Sequence, residues 1–192
     1  MTRAEPRPFR WTKDGFYQAF EANLFLERRV QLIDGEIVEF DARTNHHSIG
    51  VEGTRIALHE RFGPAFWVRI LGSLDLSDNS VPDPDIAVVR GGIRTHRGPD
   101  NPTTALLIVE VSDTTLEFDR QTKGCLYAAS GIADYWILNL VDMQLEVYRD
   151  PVPDTNARFG WVYASRSDHL PGATVSPLAL PGASIAIVDL LP

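Results

Sequence analysis

The sequence predicts a mixed α/β (α+β) domain, in which a central mixed sheet carries helices on its faces and additional β-hairpins at its edge. Helical patterns of apolar residues alternate with short β-branched runs. Apolar stretches also flank two turn-forming pairs. Hydrophobic residues make up 44% of the 192 residues, which is enough to bury one core. We therefore predict a single domain over residues 11–192, after a polar, proline-rich segment of residues 1–10 that we expect to be frayed.

The N-terminal part is predicted to fold as a helix, a hairpin and a second helix. Thr12 is placed to cap the first helix. The Asp34-Gly35 pair between apolar stretches predicts a hairpin over residues 30–40. The second helix begins at Asn45 and ends at Gly63. The apolar residues of these two helices are Phe16, Tyr17 and Phe20, followed by Ile49, Ile56, Leu58 and Phe62.

The rest of the chain is predicted to supply the sheet and one more helix. This helix runs from Thr115 to Ser130, and Gly131 is the residue that ends it. A hairpin turns around Asp142-Met143. The strand candidates cover residues 66–71, 85–89, 106–111, 134–141, 144–148, 161–163 and 185–188.

Two carboxylates within apolar, strand-like runs are the strongest indication of function. Asp85 precedes the run Ile-Ala-Val-Val, and Glu110 lies inside the run Leu-Leu-Ile-Val-Glu-Val. A buried carboxylate is unfavourable unless it is paired or binds a cation, so we expect both to point into one cleft. With Lys123 on the following helix, they indicate a Mg²⁺ or Mn²⁺ site, to which the carbonyl of Val111 adds an oxygen. Such a site is suited to phosphodiester hydrolysis.

Asp119, Lys123 and Tyr127 are spaced by four residues and therefore share one face of the predicted helix. If this face packs across the strand ends, all three reach the metal site. The alternative is an ordinary surface ion pair between Asp119 and Lys123, worth roughly a few tenths of a kcal/mol, and spacing alone favours it. We take Lys123 to occupy an exposed helix position whose replacement costs little stability.

Composition excludes several classes of protein. No run of eighteen apolar residues is present, so nothing is expected to span a membrane, and the N-terminus lacks the apolar segment of a secretory signal. The single cysteine, Cys125, excludes an internal disulfide and a cysteine-built zinc site. These features predict a cytoplasmic protein. The net charge of -8 argues against broad, non-specific binding to nucleic acid. A candidate basic patch, with a solvated loop as the equal alternative, consists of Arg90, Arg94, His96 and Arg97.

The order of several motifs resembles that of the Uma2 family, which is assigned to the PD-(D/E)XK nuclease-like superfamily. Each motif alone is weak, but their order is specific. The motifs are Leu32-Ile-Asp-Gly-Glu36, Pro82-Asp-Pro-Asp85, Ile108-Val-Glu110-Val-Ser112, Asp119-Arg-Gln-Thr-Lys123 and Gly131-Ile-Ala-Asp-Tyr135-Trp136. Glu27 and His47 also fit, so the likeness covers roughly residues 11–190.

The resemblance implies a restriction-endonuclease-like core, with a four-stranded mixed sheet flanked by helices, and a metal-dependent endonuclease that cleaves DNA. It assigns Asp85 and Glu110 as metal ligands. The superfamily signature has a lysine two residues after the second acid, where this chain has Ser112. The resemblance therefore implies that Lys123 supplies the catalytic lysine from the helix. By analogy with nucleases that pair to cut two strands, we expect a homodimer through Trp161 and the C-terminal strands.

Glu36 and His47 are weaker candidates for supporting roles. Glu36 either reaches the metal from the hairpin edge or is a solvated strand residue, which is the more frequent outcome. His47 either supports a carboxylate or contacts a phosphate, or it forms a surface pair with His46 at the start of a helix, which the sequence favours.

Three functions are compatible with these patterns. The first is a metal-dependent DNA endonuclease. The second is a catalytically weak or inactive nucleic-acid-binding or regulatory domain of the same fold, which the acidic net charge and the serine at position 112 favour. The third is a metal-dependent hydrolase of a smaller phosphate compound.

Overall fold

The computed structural model describes residues 6–192, and residues 1–5 of the segment expected to be frayed lie outside the described residues. Residues 6–10 have no regular secondary structure, although the guanidinium of Arg10 donates to the carbonyl of Asp34 at 2.9 Å. No helix within residues 6–192 is long and apolar enough to cross a membrane.

Four α-helical segments, one π-helical turn, three short 3-10 helices and ten strands make up the regular structure of residues 6–192. The helices are α1 (Lys13–Glu21), α2 (Asn45–Phe62), α3 (Leu116–Phe118) and α4 (Gly124–Ala129), and a π-helical turn (Asp119–Lys123) joins the last two. The strands are β1 (Arg29–Ile33), β2 (Glu36–Phe40), β3 (Phe66–Ile70), β4 (Ile86–Arg90), β5 (Leu107–Ser112), β6 (Asp134–Asn139), β7 (Gln144–Pro153), β8 (Trp161–His169), β9 (Thr174–Val175) and β10 (Ile185–Ala186).

The first helix and the first hairpin form as the sequence predicts. The hydroxyl of Thr12 accepts a hydrogen bond from the Gly15 amide at 3.2 Å and caps α1. Asp34 and Gly35 both have positive φ, 53° and 73°, as a two-residue turn that matches the strand twist requires. A small apolar cluster joins α1 to β1; it consists of Phe16, Val30, Leu32 and Val81.

Six strands form one mixed sheet in the order β3-β4-β5-β6-β7-β8, which confirms the predicted fold class. Only β5 and β6 are parallel among these neighbours. The chain between them runs through α3, the π-helical turn and α4, because parallel neighbours need a crossover connection. The implied four-stranded core corresponds to β3–β6, and the β7–β8 hairpin extends it. β8 is longer than predicted because it pairs along β7 from Trp161 to His169.

The two faces of the sheet are covered by different elements. Successive residues of a strand face opposite sides. The side facing α2 receives from β5 the residues Leu107, Val109 and Val111. The other side receives Ala87 from β4 and Ile108 from β5, which pack with Tyr127 of α4. Asp85 and Glu110 follow the alternation of Ala87 and Ile108, so both carboxylates belong on the α4 side.

The second helix has the predicted length but not a purely apolar buried face. Ile49 and Ile56 are 46% and 44% exposed. The buried residues of α2 are His47, Gly50, Val51, Thr54, Leu58 and Phe62. Their spacing of three or four residues is helical, but the stripe mixes polar and small side chains. Gly50 allows close approach to the sheet, because a Cβ there would lie 3.1 Å from Val111.

The helix predicted over residues 115–130 is interrupted by the π-helical turn, which is anchored to the sheet. The hydroxyl of Tyr135 donates to the carbonyl of Asp119 at 2.9 Å. The guanidinium of Arg120 donates to the buried carboxylate of Glu146 on β7, with Nε 3.0 Å from Oε2. Turns of this kind are frequent at functional sites, and these contacts fix its position.

Glu146 makes the stability of the fold sensitive to acid. Burial alone raises the pKa of this carboxyl, but hydrogen bonds from Arg120, Tyr148 and Asn139 lower it from 4.5 to about 2. The stabilisation is therefore complete above pH 4.5 and is lost as the pH falls toward 2. We expect Glu146→Gln to lower the free energy of unfolding by on the order of 2 kcal/mol at neutral pH, and by less in acid.

Urea unfolding of wild type and variant at neutral pH and at about pH 3 measures this difference. Glu117→Gln is the matched control, because Glu117 contacts the same Arg120 from an exposed position. The control should differ little from wild type at either pH. If Glu146→Gln lowered the free energy of unfolding equally at both pH values, the acid-sensitive stabilisation assigned to Glu146 would be contradicted.

Candidate active site

A cleft of about 300 Å³ opens between the β1–β2 hairpin, the start of α2 and the helical crossover. Asp85 lies at the start of β4 and Glu110 near the end of β5, so neighbouring strands deliver both carboxylates to this cleft. His47 and Lys123 line the same cleft from α2 and the π-helical turn. The structure thus brings together four of the residues that the sequence singles out.

The two carboxylates are joined through the backbone of the two strands. The Val111 amide donates to Oδ2 of Asp85 at 3.0 Å, and the Asp85 amide lies 3.4 Å from Oε2 of Glu110. Because the N–H and C=O of one strand residue face the same neighbour, the carbonyl of Val111 is also directed toward Asp85. The predicted common cleft is therefore present.

Lys123 is buried, so its expected exposed position is wrong. Its side chain is 4% exposed, and its Nζ lies 2.9 Å from Oε1 of Glu110 and 3.5 Å from Oδ1 of Asp119. The ring of Phe40 covers the ammonium at 5.4 Å. An ammonium is stable in such a place only with compensating carboxylates. The pair of Asp119 and Lys123 is therefore not a surface ion pair.

Asp119 is held by two hydroxyl groups. Its Oδ2 accepts hydrogen bonds from Ser112 at 2.7 Å and from Thr115 at 2.6 Å. Its Oδ1 has no hydrogen-bond partner among residues 6–192 and faces Lys123. Ser112, at the position where the superfamily signature has lysine, thus connects β5 to the residue that faces Lys123.

Tyr127 contacts the site directly. Its hydroxyl donates to Oε1 of Glu110 at 2.6 Å, and the residue is fully buried. Oε1 of Glu110 thus receives both this hydroxyl and the ammonium of Lys123. The helical face predicted from the spacing of Asp119, Lys123 and Tyr127 does converge on Glu110.

His47 is also buried, so the surface pair with His46 is wrong. The Nε2 of His47 lies 3.0 Å from Oδ2 of Asp85, and its Nδ1 has no hydrogen-bond partner among the described residues. The exposed Thr44 caps α2 by accepting a hydrogen bond from the His47 amide at 3.1 Å. The cap fixes the first turn of the helix, which directs the imidazole toward Asp85.

Glu36 is not part of this site. It begins β2 next to the hairpin turn and is exposed. Its carboxylate pairs with Arg10 at 2.7 Å and with Arg158 at 3.0 Å. Glu36 does not line the cleft, so the structure agrees with the solvated strand residue that the sequence favours over a supporting role.

The cleft lining also includes residues that sequence reasoning did not single out, among them Arg29, Phe40, Arg43 and Asp83. Asp83 lies two residues before Asp85, and this spacing was an available signal for a shared side. The sequence gives no such signal for Arg29 and Arg43, because β1 and the segment before α2 come close together only when the chain is folded. Nε of Arg43 lies 3.6 Å from Oδ1 of Asp85.

The environment of the site shifts the pKa values of the two carboxylates in opposite directions. Burial raises the pKa of Glu110 to about 8, helped by the charges of Asp119 and Asp85 and opposed by Lys123. Burial also acts to raise the pKa of Asp85, but the hydrogen bond and charge of His47 and the charge of Lys123 bring it below its ordinary value. Burial lowers the pKa of Lys123, yet the adjacent carboxylates outweigh it and the net pKa is raised. Lys123 is therefore a permanent cation beside an ionised Asp85.

In each carboxylate, one oxygen has close donors and the other has only a long contact. Oδ2 of Asp85 and Oε1 of Glu110 have close donors. Oδ1 of Asp85 has only the 3.6 Å contact with Arg43, and Oε2 of Glu110 only the 3.4 Å contact with the Asp85 amide. Two carboxylate oxygens without close donors are thus available to a ligand in the cleft.

Comparisons with known proteins find a matching family and a solved structure of similar fold. The sequence profile of the Uma2 family, described as "putative restriction endonuclease", matches residues 17–188. The fold is similar to the crystal structure of a "putative nuclease belonging to DUF820" from Anabaena variabilis, with a TM-score of 0.65 and 17% identity. This similarity covers 93% of the present chain and 96% of that one. No curated protein matches the chain.

The burial of Lys123 gives a prediction for stability. We expect Lys123→Met to lower the free energy of unfolding by about 3 kcal/mol, because it leaves buried carboxylates without their ammonium. The matched control is Lys13→Met, since Lys13 is the other lysine of the chain and its ion pair with Asp75 is partly exposed. The control should cost less than about 1 kcal/mol. Equal losses in urea unfolding would contradict the buried ion pair.

Proposed function

The chain belongs to the Uma2 family, and from this premise we propose that it is a Mg²⁺- or Mn²⁺-dependent endonuclease that hydrolyses phosphodiester bonds of DNA. The observation that carries the proposal is the ammonium of Lys123, buried 2.9 Å from Glu110 in a cleft that also holds Asp85. Replacing a whole buried ion pair by well-packed apolar residues is often neutral or stabilising, so a functional role explains why this pair is present.

The donor set fits a hard divalent cation. The oxygens without close donors on Asp85 and Glu110, together with the carbonyl of Val111, are the ligands that we propose. Within residues 6–192, no three His, Cys, Asp or Glu side chains are grouped to hold a metal. The proposed Mg²⁺ or Mn²⁺ would need no such group, since Mg²⁺ is commonly bound via one or two carboxylates and completes its shell with water and substrate oxygens. When bound, the ion would neutralise phosphate charge and activate water.

Lys123 acts in this proposal as a fixed positive charge. Its raised pKa keeps it protonated, so it orients the attacking water and stabilises negative charge on the phosphate, rather than acting as a base. The chain contains sixteen arginines and two lysines, and the compact ammonium fits between two carboxylates where a planar guanidinium would not. Asp119 and Tyr127 hold this arrangement, and His47 orients Asp85.

A catalytically weak or inactive nucleic-acid-binding domain of the same fold is the second candidate. The observation that favours it is Ser112, whose hydroxyl is bonded to Asp119 at the position of the signature lysine. Metal binding and cleavage separate the two candidates. The homodimer through Trp161, which lies on the edge strand β8, stays a prediction.

Metal binding gives the first test. We expect millimolar Mn²⁺ to raise the melting temperature of the wild type, since a ligand at a hundred times its Kd stabilises by about 2.7 kcal/mol. Asp85→Asn should abolish this shift because it removes a proposed ligand. Asp168→Asn, an exposed carboxylate paired with Arg166, is the control and should keep the shift. Melts of the wild type that Mn²⁺ leaves unchanged would refute the metal site.

Cleavage of supercoiled plasmid DNA with Mg²⁺ tests the role of Lys123. We expect Lys123→Ala to lower the rate by a factor of about a hundred or more, measured where the variant is still folded. Adding Ser112→Lys to this variant should recover part of the rate, because position 112 lies on the same strand face as Glu110. Full metal-dependent cleavage by Lys123→Ala would end this assignment.

A further inference from the structure

Two arginines beside the carboxylates have no part in the chemistry proposed above. Arg29 begins β1 and Arg43 precedes α2, and both line the cleft. Arg29 is held in place because its Nη1 donates to the carbonyl of Asp41 at 2.6 Å and its guanidinium lies 5.8 Å from the centre of the Phe40 ring. These contacts hold the side chain, and its N–H groups other than those of Nη1 have no acceptor among the described residues.

Arg43 has an unsatisfied donor. Its Nε is buried and has no hydrogen-bond partner among residues 6–192, and Oδ1 of Asp85 is too distant at 3.6 Å. The side chain as a whole is 22% exposed, toward the cleft. A buried donor without an acceptor is costly, so an acceptor that enters the cleft would relieve this cost.

The two guanidinium groups are also close enough to repel each other. Burial lowers the pKa of Arg29, and the charge of Arg43 lowers it further, against the opposing charges of Asp85, Asp83 and Glu110. The carboxylates offset part of this repulsion, and a phosphate that lies near both guanidinium groups would offset more of it. Guanidinium groups present paired donors that match the oxygens of a phosphate.

A second cavity lies next to the cleft, where a nucleic-acid strand bound through its phosphate would extend. This cavity, of about 190 Å³, shares Arg29, Arg43 and Asp83 with the cleft, so the arginines form the wall between the two. Phe20 and Leu71 line its far side, and each is 41% exposed. A nucleic-acid strand that leaves the carboxylates here would pass its phosphate over the arginines and bring a base to an aromatic ring.

We propose that Arg29 and Arg43 form a phosphate clamp that binds the backbone of a nucleic-acid strand next to the bond that is cleaved. The position of the cleaved bond rests on the proposed function, but the clamp itself does not. The competing surface is the basic patch of Arg90, Arg94, His96 and Arg97. It begins at the opposite end of β4 from Asp85, roughly 17 Å away at the rise of a strand.

Binding without metal tests the clamp apart from cleavage. Fluorescence anisotropy with a short fluorescein-labelled single-stranded DNA, in EDTA, gives Kd over a range of salt concentrations. We expect Arg29→Gln and Arg43→Gln each to raise Kd by about tenfold and to reduce the slope of log K against log salt by about 0.7. Arg43→Lys should keep the slope but still weaken binding, because it keeps the charge and loses the paired donors.

Arg55→Gln is the matched control, since it removes one positive charge from α2 outside the cleft and should bind as wild type. Thermal melts check that each variant is folded. If a glutamine variant is unfolded, Arg43→Lys takes its place as the test of the clamp. Binding that is unchanged in all clamp variants, or absent in the wild type, overturns the proposal. So does a loss seen only when Arg94 and Arg97 are replaced.

The results also separate the clamp from the nuclease assignment. Weakened binding in the clamp variants of a protein that cleaves no DNA supports the clamp and refutes the endonuclease. Metal-dependent cleavage by a protein whose clamp variants bind DNA as wild type refutes the clamp and leaves the endonuclease in place.

Discussion

The contact between the ammonium of Lys123 and the carboxylate of Glu110 links the central sheet to the helical crossover. Glu110 lies on the sheet face that also carries the apolar residues Ala87 and Ile108, and it tolerates burial because Lys123 and Tyr127 both donate to one of its oxygens. Lys123 in turn tolerates burial because Asp119 faces it. Removing either Lys123 or Glu110 leaves an unpaired charge in the core. The residues of the site are therefore also residues that stabilise the packing of this sheet face.

The π-helical turn carries Lys123, and contacts with the sheet hold this turn in position. Arg120, inside the turn, is bound to Glu146 on β7, and Tyr135 of β6 holds the carbonyl of Asp119. Two strands therefore fix the turn from below, while Ser112 of β5 fixes the Asp119 side chain. A site on a short helical segment needs such support, because the segment has few intrahelical hydrogen bonds of its own.

Strand alternation explains what the sequence could predict about this site. Residues two apart on a strand lie on the same face of the sheet, so Glu110 lies on the face of Ile108, and Asp85 on that of Ala87. Counting residues therefore predicts that both carboxylates lie on one face. The burial of Lys123 did not follow, because it depends on the charge of Asp119 and on Glu110, which lies across the crossover. His47 was misplaced for a related reason: its neighbour His46 is exposed, and only the α2 cap shows which histidine faces Asp85. The hairpin turn was predictable, and the exposure of Glu36 agrees with the alternative that the sequence favours.

The acidic net charge and a nucleic-acid substrate are compatible when charge is considered locally. Exposed charges more than about 8 Å from the cleft are largely screened at physiological salt, so most of the net charge of -8 has little effect inside it. Within the cleft, Lys123, Arg29 and Arg43 lie beside the carboxylates, which offset part of their charge. The arginines are thus the groups through which a polyanion can approach an acidic site, and a divalent cation would remove the remaining repulsion.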